Sequence, residues 1–439
     1  MASRVLCLGL SLASSAILAR ALGPYGKGIV ATALTLTQMV FLLSQLALSH
    51  GTVFHVAQRE HSILAILGSN YVIGLLLSLV GTAVGLLVVF PFHERVFPQV
   101  PLSLLLLALA VVPLRSVNRL VRSTFLGQRR FALYNATEVI SSIVNVALIS
   151  LFVLALQQGI HGGLLATLSG AAAMTAILTL IAVRTWGWAR PRVDRSYARA
   201  AIGFGLQAYV GNVLTYLYLR FDLILVNLFR GPGEAGLYSV AVVVAEQVSI
   251  VSQTASNVLF PHIAGERNED VRRTLTPLVA RTVLVVSLLG GVALLVASPW
   301  LMTVLFSSSY SAAVRPLWLL LPGILCLTVA RVLGIDLAGR GKPVLNTYVS
   351  IASVAINMGL NVLLIPRYGM SGAAIASSFA YAITLGARVS LYTRISGVRW
   401  THLFVPQRGD LAVYRAALQR ILDRSRARHA VREQDDQTL

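Results

Sequence analysis

The chain has 439 residues, of which 56% are hydrophobic and only 12% charged, and its mean hydropathy is +0.76. Soluble domains are roughly one-quarter charged, so this composition excludes an ordinary soluble enzyme and points to a membrane protein. The formal net charge of +20 needs no nucleic-acid partner, because basic loops facing an anionic leaflet account for it.

Apolar runs of span length recur along the chain. They predict an all-α polytopic membrane protein with about 12 transmembrane helices, at 4–21, 28–49, 64–90, 102–121, 138–156, 163–183, 202–228, 236–262, 278–306, 316–337, 345–365 and 372–392. Six fall in an N-terminal bundle (1–183) and six in a C-terminal bundle (200–393), joined by the polar linker 184–199 and followed by a basic tail, 394–439. The first run, with Arg4 before it and Ala19-Arg20-Ala21 after it, imitates a cleavable signal peptide. Its surroundings pair with a segment deep in the chain, so it is read as a retained span. It begins almost at Met1, which suggests residues upstream.

That pairing is part of a direct internal repeat. Leu22-Gly23-Pro24-Tyr25-Gly26-Lys27-Gly28 returns as Arg230-Gly231-Pro232-Gly233-Glu234-Ala235-Gly236, a shift of 208. Arg119, Gly127 and Asn145 recur as Arg331, Gly339 and Asn357, a shift of 212, and Gly159, Gly162 and Ala166 as Gly369, Gly372 and Ala376, a shift of 210. A parallel repeat in a membrane chain is a signature of a transporter built from two bundles around a substrate site.

With the N-terminus inside, the inner loops carry Arg59, Arg122, Arg129, Arg130, Arg184, Arg190, Arg192, Arg195, Arg199, Arg267, Arg272, Arg273, Arg340 and Lys342. The outer loops carry only Arg20, Lys27, Arg95, Arg230, Arg315 and Arg367. The bias predicts a multi-pass protein of the cytoplasmic (inner) membrane with both termini cytoplasmic. In the tail, Leu411, Tyr414, Leu418, Ile421 and Leu422 recur at helical spacing among arginines. This predicts a basic amphipathic helix, either a surface anchor or a partner-docking element.

Cys7 and Cys326 lie inside spans and form neither a disulfide framework nor a metal-ligand spacing. His50, His55 and His61 read as polar loop residues at the membrane surface, so no metal and no cofactor are expected. No nucleotide-binding glycine loop is present, because the Gly-Pro-x-Gly segments lack the Lys-Ser/Thr ending.

Ionisable residues inside spans carry the functional signal, because a charge near the bilayer centre costs about 2.5–3.5 kcal/mol on insertion scales. Arg115, Arg119 and Arg122 share one face of the fourth span, and the tenth carries Arg331 and Asp336. Arg119 and Arg331 are repeat mates, so a pseudo-two-fold axis would set them on opposite sides of a central cavity. Two opposed guanidinium groups suit a diphosphate; alternatively Arg119, Arg122 and Arg331 snorkel to headgroups at span ends. The seventh span carries Arg220 and Asp222, with Tyr209 and Tyr216 on one face. The tyrosines suit sugar stacking or an interface belt. Asp222 and Glu246 suit either a coupling proton or sodium ion or a counterion role, and Glu138 is a weaker candidate of the same kind.

Leu22-Gly23-Pro24-Tyr25-Gly26-Lys27-Gly28 resembles the segment after the first span of polysaccharide flippases, in the multidrug/oligosaccharidyl-lipid/polysaccharide exporter superfamily. Gly236-Leu237-Tyr238-Ser239-Val240-Ala241 with Leu259-Phe260-Pro261 is similar to the eighth span of that family. Gly341-Lys342-Pro343, Asn357, Asn361 and Tyr368-Gly369-Met370-Ser371-Gly372-Ala373-Ala374-Ile375-Ala376 are similar to its eleventh and twelfth. The resemblance covers about 19–394. It implies a two-bundle flippase, not an enzyme, with a cationic lumen that turns undecaprenyl-diphosphate-linked oligosaccharide from the inner to the outer leaflet. Lumen binding by Arg115, Arg119, Arg220 and Arg331 and ion coupling by Asp222 map by position only. Glycosyltransferases and a polymerase would be the neighbouring machinery. A multidrug exporter and a peptidoglycan-precursor flippase of the same superfamily are the alternatives; the two extra C-terminal spans of the latter are missing here.

Overall fold

The computed structural model describes residues 2–266, 268–405 and 407. Among these residues the chain is helical and contains no strand. The expected tail helix at 411–428 lies outside the described residues. The helices are α1 (Ala2–Gln45), α2 (Leu48–Gln58), α3 (Ile63–Val96), α4 (Leu102–Leu109), α5 (Val111–Gly127), α6 (Phe131–Ile149) and α7 (Gly159–Trp186). They continue as α8 (Arg195–Arg230), α9 (Pro232–Ala245), α10 (Ile250–Gly265), α11 (Glu269–Leu301), α12 (Val314–Gly339), α13 (Pro343–Ser396) and α14 (Thr401–Phe404).

Ten helical segments among the described residues are long and apolar enough to cross a membrane. Two of them are double. At 1.5 Å per residue, the 44 residues of α1 and the 54 of α13 would far exceed a hydrocarbon core of about 30 Å. Each is broken at a glycine in a conformation that L side chains avoid: Gly23 has φ 64° and Gly369 has φ 58°. The arms fold back at these points. Leu18 and Val30 both come within 3.4 Å of a Cβ placed at Gly163, although a straight helix would hold them about 18 Å apart. Asn357 and Ser377, on the two arms of α13, are 3.5 Å apart. Ten segments with two broken in this way give twelve passes, which makes the protein multi-pass.

Within the polar stretch 184–199, α7 runs through Arg184 to Trp186 and α8 starts at Arg195, leaving 187–194 without helix. Asp194 caps α8, accepting from Ser196 N at 3.0 Å and Tyr197 N at 3.2 Å. The bonds from the Ser196 hydroxyl and these N–H groups hold its carboxyl below the usual carboxylate range.

Each bundle has its own apolar core. One gathers Ile29, Leu104, Leu105, Val112 and Leu164, the other Val226, Tyr238, Phe306, Leu317 and Ala373. Ile224 crosses into the first core and Ala19 into the second. Large side chains such as Leu87 and Val296 are exposed on the outside, where lipid meets them.

The bundles meet closely at the repeated glycine segment. A Cβ at Gly28 would lie 1.7 Å from the Pro232 carbonyl oxygen, and one at Gly236 would lie 1.9 Å from that of Pro24. Gly28 and Gly236 are repeat mates, as are Pro24 and Pro232, so the contact is reciprocal, as a two-fold relation between halves requires. Gly28→Ala places its methyl group into backbone that cannot move aside as a side chain would. The expected effect is a destabilisation beyond the about 1–3 kcal/mol of ordinary overpacking, read as a lower melting midpoint in detergent. Gly290→Ala, whose Cβ meets nothing within 4 Å, leaves the midpoint within about 0.5 kcal/mol of the parent.

Candidate functional site

Three adjoining cavities hold most of the ionisable residues of the spans. The first, of about 340 Å³, lies in the N-terminal bundle among α1, α2, α5, α6 and α7 and is lined by Gln38, His50, Arg115, Arg119, Arg122 and Glu138. The three arginines fall at i, i+4 and i+7 on α5 and line one wall. Arg115 is half-buried and donates to Gln38 Oε1 at 3.3 Å. Arg122 pairs with Glu138 at 2.6 Å and also donates to the Thr137 carbonyl oxygen at 3.1 Å. Glu138 is thereby a counterion. Arg119 is exposed to the cavity.

The second cavity, of about 410 Å³, lies in the C-terminal bundle among α8, α12 and α13. Arg331 lines it, and so does Arg388, which sequence reasoning missed. Arg388 donates to the Ala330 carbonyl oxygen at 2.8 Å, and a Cβ at Gly334 would sit 2.9 Å from its guanidinium carbon. The glycine makes room for the arginine. A lone arginine inside the last apolar run was the available signal. Asp336 turns away from Arg331, accepting from Thr276 Oγ1 at 2.6 Å and pairing with Arg340, which also holds Glu269 at 2.6 Å. This buried network fastens one end of α12 to α11.

The third cavity, of about 230 Å³, lies between the bundles and is lined by Lys27, Gln38, Tyr216, Arg220, Asp222 and Tyr238. Arg220 pairs with Glu246 at 2.6 Å. Asp222 is 3% exposed and is bonded to a tyrosine, a serine and a main-chain N–H rather than to an arginine. It accepts from Tyr238 OH, from Ser377 Oγ at 3.1 Å and from Leu223 N at 2.8 Å. Ser377 is 3.5 Å from Asn357 Nδ2, and Asn361 donates to Asn357 Oδ1 at 2.9 Å. The repeat mate of Asp222 is Ser14, whose hydroxyl meets Asn145, the mate of Asn357, at 3.3 Å. The two bundles thus place polar side chains at these matching positions, but Val30 and Ile149 stand where Tyr238 and Asn361 do, and a carboxylate is present in only one of them.

Arg119 and Arg331, read from sequence as two sides of one cavity, line two separate cavities. The partition is a row of bonds from α8. Tyr209 OH donates to the Leu43 carbonyl oxygen at 2.9 Å, Tyr216 OH to that of Thr35 at 3.0 Å, and Asn212 meets His50 at 3.2 Å. His50 lines the first cavity and Asn212 the second. The hydroxyls expected to face sugar are committed to main-chain oxygens of α1.

The helical order, the two bundles and the cavities between and within them define a class: multi-pass membrane proteins of the multidrug/oligosaccharidyl-lipid/polysaccharide exporter fold. An inward-facing multidrug-resistance transporter of that superfamily superposes with a TM-score of 0.68 over 89% of this chain and 94% of its own, at 14% identity. The lipid II flippase MurJ in an inward closed conformation gives 0.75 over 91% and 88%, at 11% identity. The family described as polysaccharide biosynthesis protein matches residues 17–315, and the chain belongs to it. The probable low-salt glycan biosynthesis flippase Agl15 of Haloferax volcanii is 24% identical over 262 residues, 55% of each chain. An uncharacterised membrane protein of Methanocaldococcus jannaschii, MJ1068, is 25% identical over 194 residues, 43% of this chain and 38% of its own. The match thus spans about half the length of these curated relatives, or less.

Glu246→Ala leaves the Arg220 guanidinium partly buried and unpaired, with an expected loss of about 1–3 kcal/mol. Adding Arg220→Leu recovers much of that loss, because the stranded charge is then gone. Melting midpoints of the two single variants and the double variant close the cycle.

Proposed function

We propose that this chain is a flippase that turns a polyprenyl-diphosphate-linked oligosaccharide, of the undecaprenyl class, from the inner to the outer leaflet of the cytoplasmic membrane. The observation that carries the proposal is the arginine lining of both bundle cavities, Arg115 and Arg119 in one and Arg331 and Arg388 in the other. The obstacle to flipping is the transfer of a diphosphate and a hydrated sugar through hydrocarbon. Guanidinium groups in a wet cleft replace lost hydration with paired, charge-assisted bonds, while the prenyl tail stays in lipid beside the seam between bundles. Rocking of the bundles breaks the Tyr209, Tyr216 and Asn212 contacts and joins the two cavities into one path, so the substrate passes from one arginine group to the other. A cationic drug would meet like charge in the same lining, which disfavours multidrug export.

Ion coupling belongs to Asp222. Its ring of hydroxyl and amide partners suits either a proton or a sodium ion, and Glu246 already neutralises Arg220. Glycosyltransferases and a polymerase would supply and consume the cargo.

In vesicles reconstituted with the purified chain and a fluorescent polyprenyl-diphosphate oligosaccharide, Arg115→Ala and Arg331→Ala each slow translocation about tenfold or more, while both variants reach the membrane at parental levels. Normal rates in both variants would sink the proposal. Asp222→Asn abolishes any acceleration by a proton or sodium gradient; retained acceleration removes Asp222 from coupling.

A further inference from the structure

The turn between α2 and α3 brings together three side chains with no role in the cavities. Arg59 caps α2 in the left-handed conformation, with φ 60°, and Ser62 caps α3 by accepting from Ala65 N. The tight reversal sets His55, Glu60 and His61 so that one ligand atom from each lies within 4.8 Å of the others. We infer that this cluster binds a divalent first-row transition cation of the Zn²⁺ type through His55, Glu60 and His61, with Asp194 as the positioning residue for His61.

Five observations support the site. His55 is only 7% exposed, and neither of its ring nitrogens has a hydrogen-bond partner; a buried polar group left so calls for a ligand. His55 Nδ1 stands 3.4 Å from Glu60 Oε2, close to the edge of about 3.3 Å that tetrahedral zinc with bonds near 2 Å requires. His61 Nδ1 stands 3.4 Å from Asp194 Oδ2, a carboxylate contact of the kind that orients zinc-bound histidines and that would leave Nε2 as the ligating nitrogen. Asp194 is itself held, because Oδ1 accepts from Ser196 and Tyr197. The Tyr197 ring packs edgewise on both imidazoles, with centroids 6.2 and 5.7 Å away. Two imidazoles and one carboxylate select zinc-like ions over calcium or magnesium, which prefer all-oxygen shells.

The ligands belong to the N-terminal bundle, whereas Asp194 and Tyr197 open α8, the first helix of the other. A bound cation would therefore fasten the linker to the α2–α3 turn. The inference rests on this geometry alone and is independent of the transport proposal.

The test uses the purified full chain carrying a histidine-free affinity tag, stripped with EDTA, desalted and titrated with ZnCl₂ against a chromophoric chelator. One Zn²⁺ per chain is expected, with a melting midpoint that rises on addition. His61→Ala, whose side chain is 18% exposed, and His55→Ala each weaken binding at least thirtyfold and lose the rise. Asp194→Asn weakens it by about tenfold, as expected for an outer carboxylate. A monodisperse size-exclusion profile certifies the fold of His61→Ala. Absence of stoichiometric zinc in the parent, or equal affinity in a folded His61→Ala, would overturn the site.

Discussion

An arginine inside a bilayer span is tolerated only where the protein supplies what water would have supplied, and that constraint organises this molecule. The arginines of the central spans are answered in several ways. Arg122 and Arg220 have carboxylates at 2.6 Å. Arg115 has a glutamine, and Arg388 has a main-chain carbonyl with a glycine opposite. Arg119 faces open cavity. The graded answers separate structural arginines, neutralised by acids, from those left with neutral partners or none. On the proposed function, the latter offer their charge to an anion.

The second constraint is the seam between bundles. Reciprocal backbone contact at Gly28 and Gly236 closes one end, where no side chain separates the helices. Farther along, individual hydrogen bonds run from α8 to α1 and α2, and α8 also packs closely on α2, where a Cβ at Gly51 would lie 2.2 Å from the Ala201 carbonyl oxygen. The seam thus combines close backbone packing, at Gly28 and Gly236 and again at Gly51 against Ala201, with a latch of single hydrogen bonds between α8 and α1. The three cavities lie against that latch. The chain belongs to a polysaccharide biosynthesis family, and on the proposed function a large cargo would enter from the side.

Much of this was legible in the sequence. Span-length apolar runs revealed twelve passes, and the glycine-containing repeat marked both reversals, because Gly23 and Gly369 adopt conformations that other residues avoid. The spacing of Arg115, Arg119 and Arg122 placed them on one wall. Partners far apart in sequence stayed hidden. Nothing local says that Glu246 meets Arg220, that Asp222 is enclosed by Tyr238 and Ser377, or that α8 runs between Arg119 and Arg331. Arg388 was overlooked, since its cavity is built by α8, α12 and α13 together. The histidines after the second span read as polar loop residues, because their convergence depends on the left-handed turn at Arg59 and on Asp194, more than 130 residues away.

The latch between bundles is asymmetric in what it asks of each helix. Tyr209 and Tyr216 supply hydroxyls, but Leu43 and Thr35 supply only main-chain oxygens, which every residue type possesses. The side chains of Leu43 and Thr35 are therefore free to vary without loss of these two bonds, unlike Gly28, where no side chain fits. Two of the three latch bonds thus depend on α8 side chains alone and the third also on His50 of α2, so on the proposed function the lining of α1 could change while α8 preserves most of the latch.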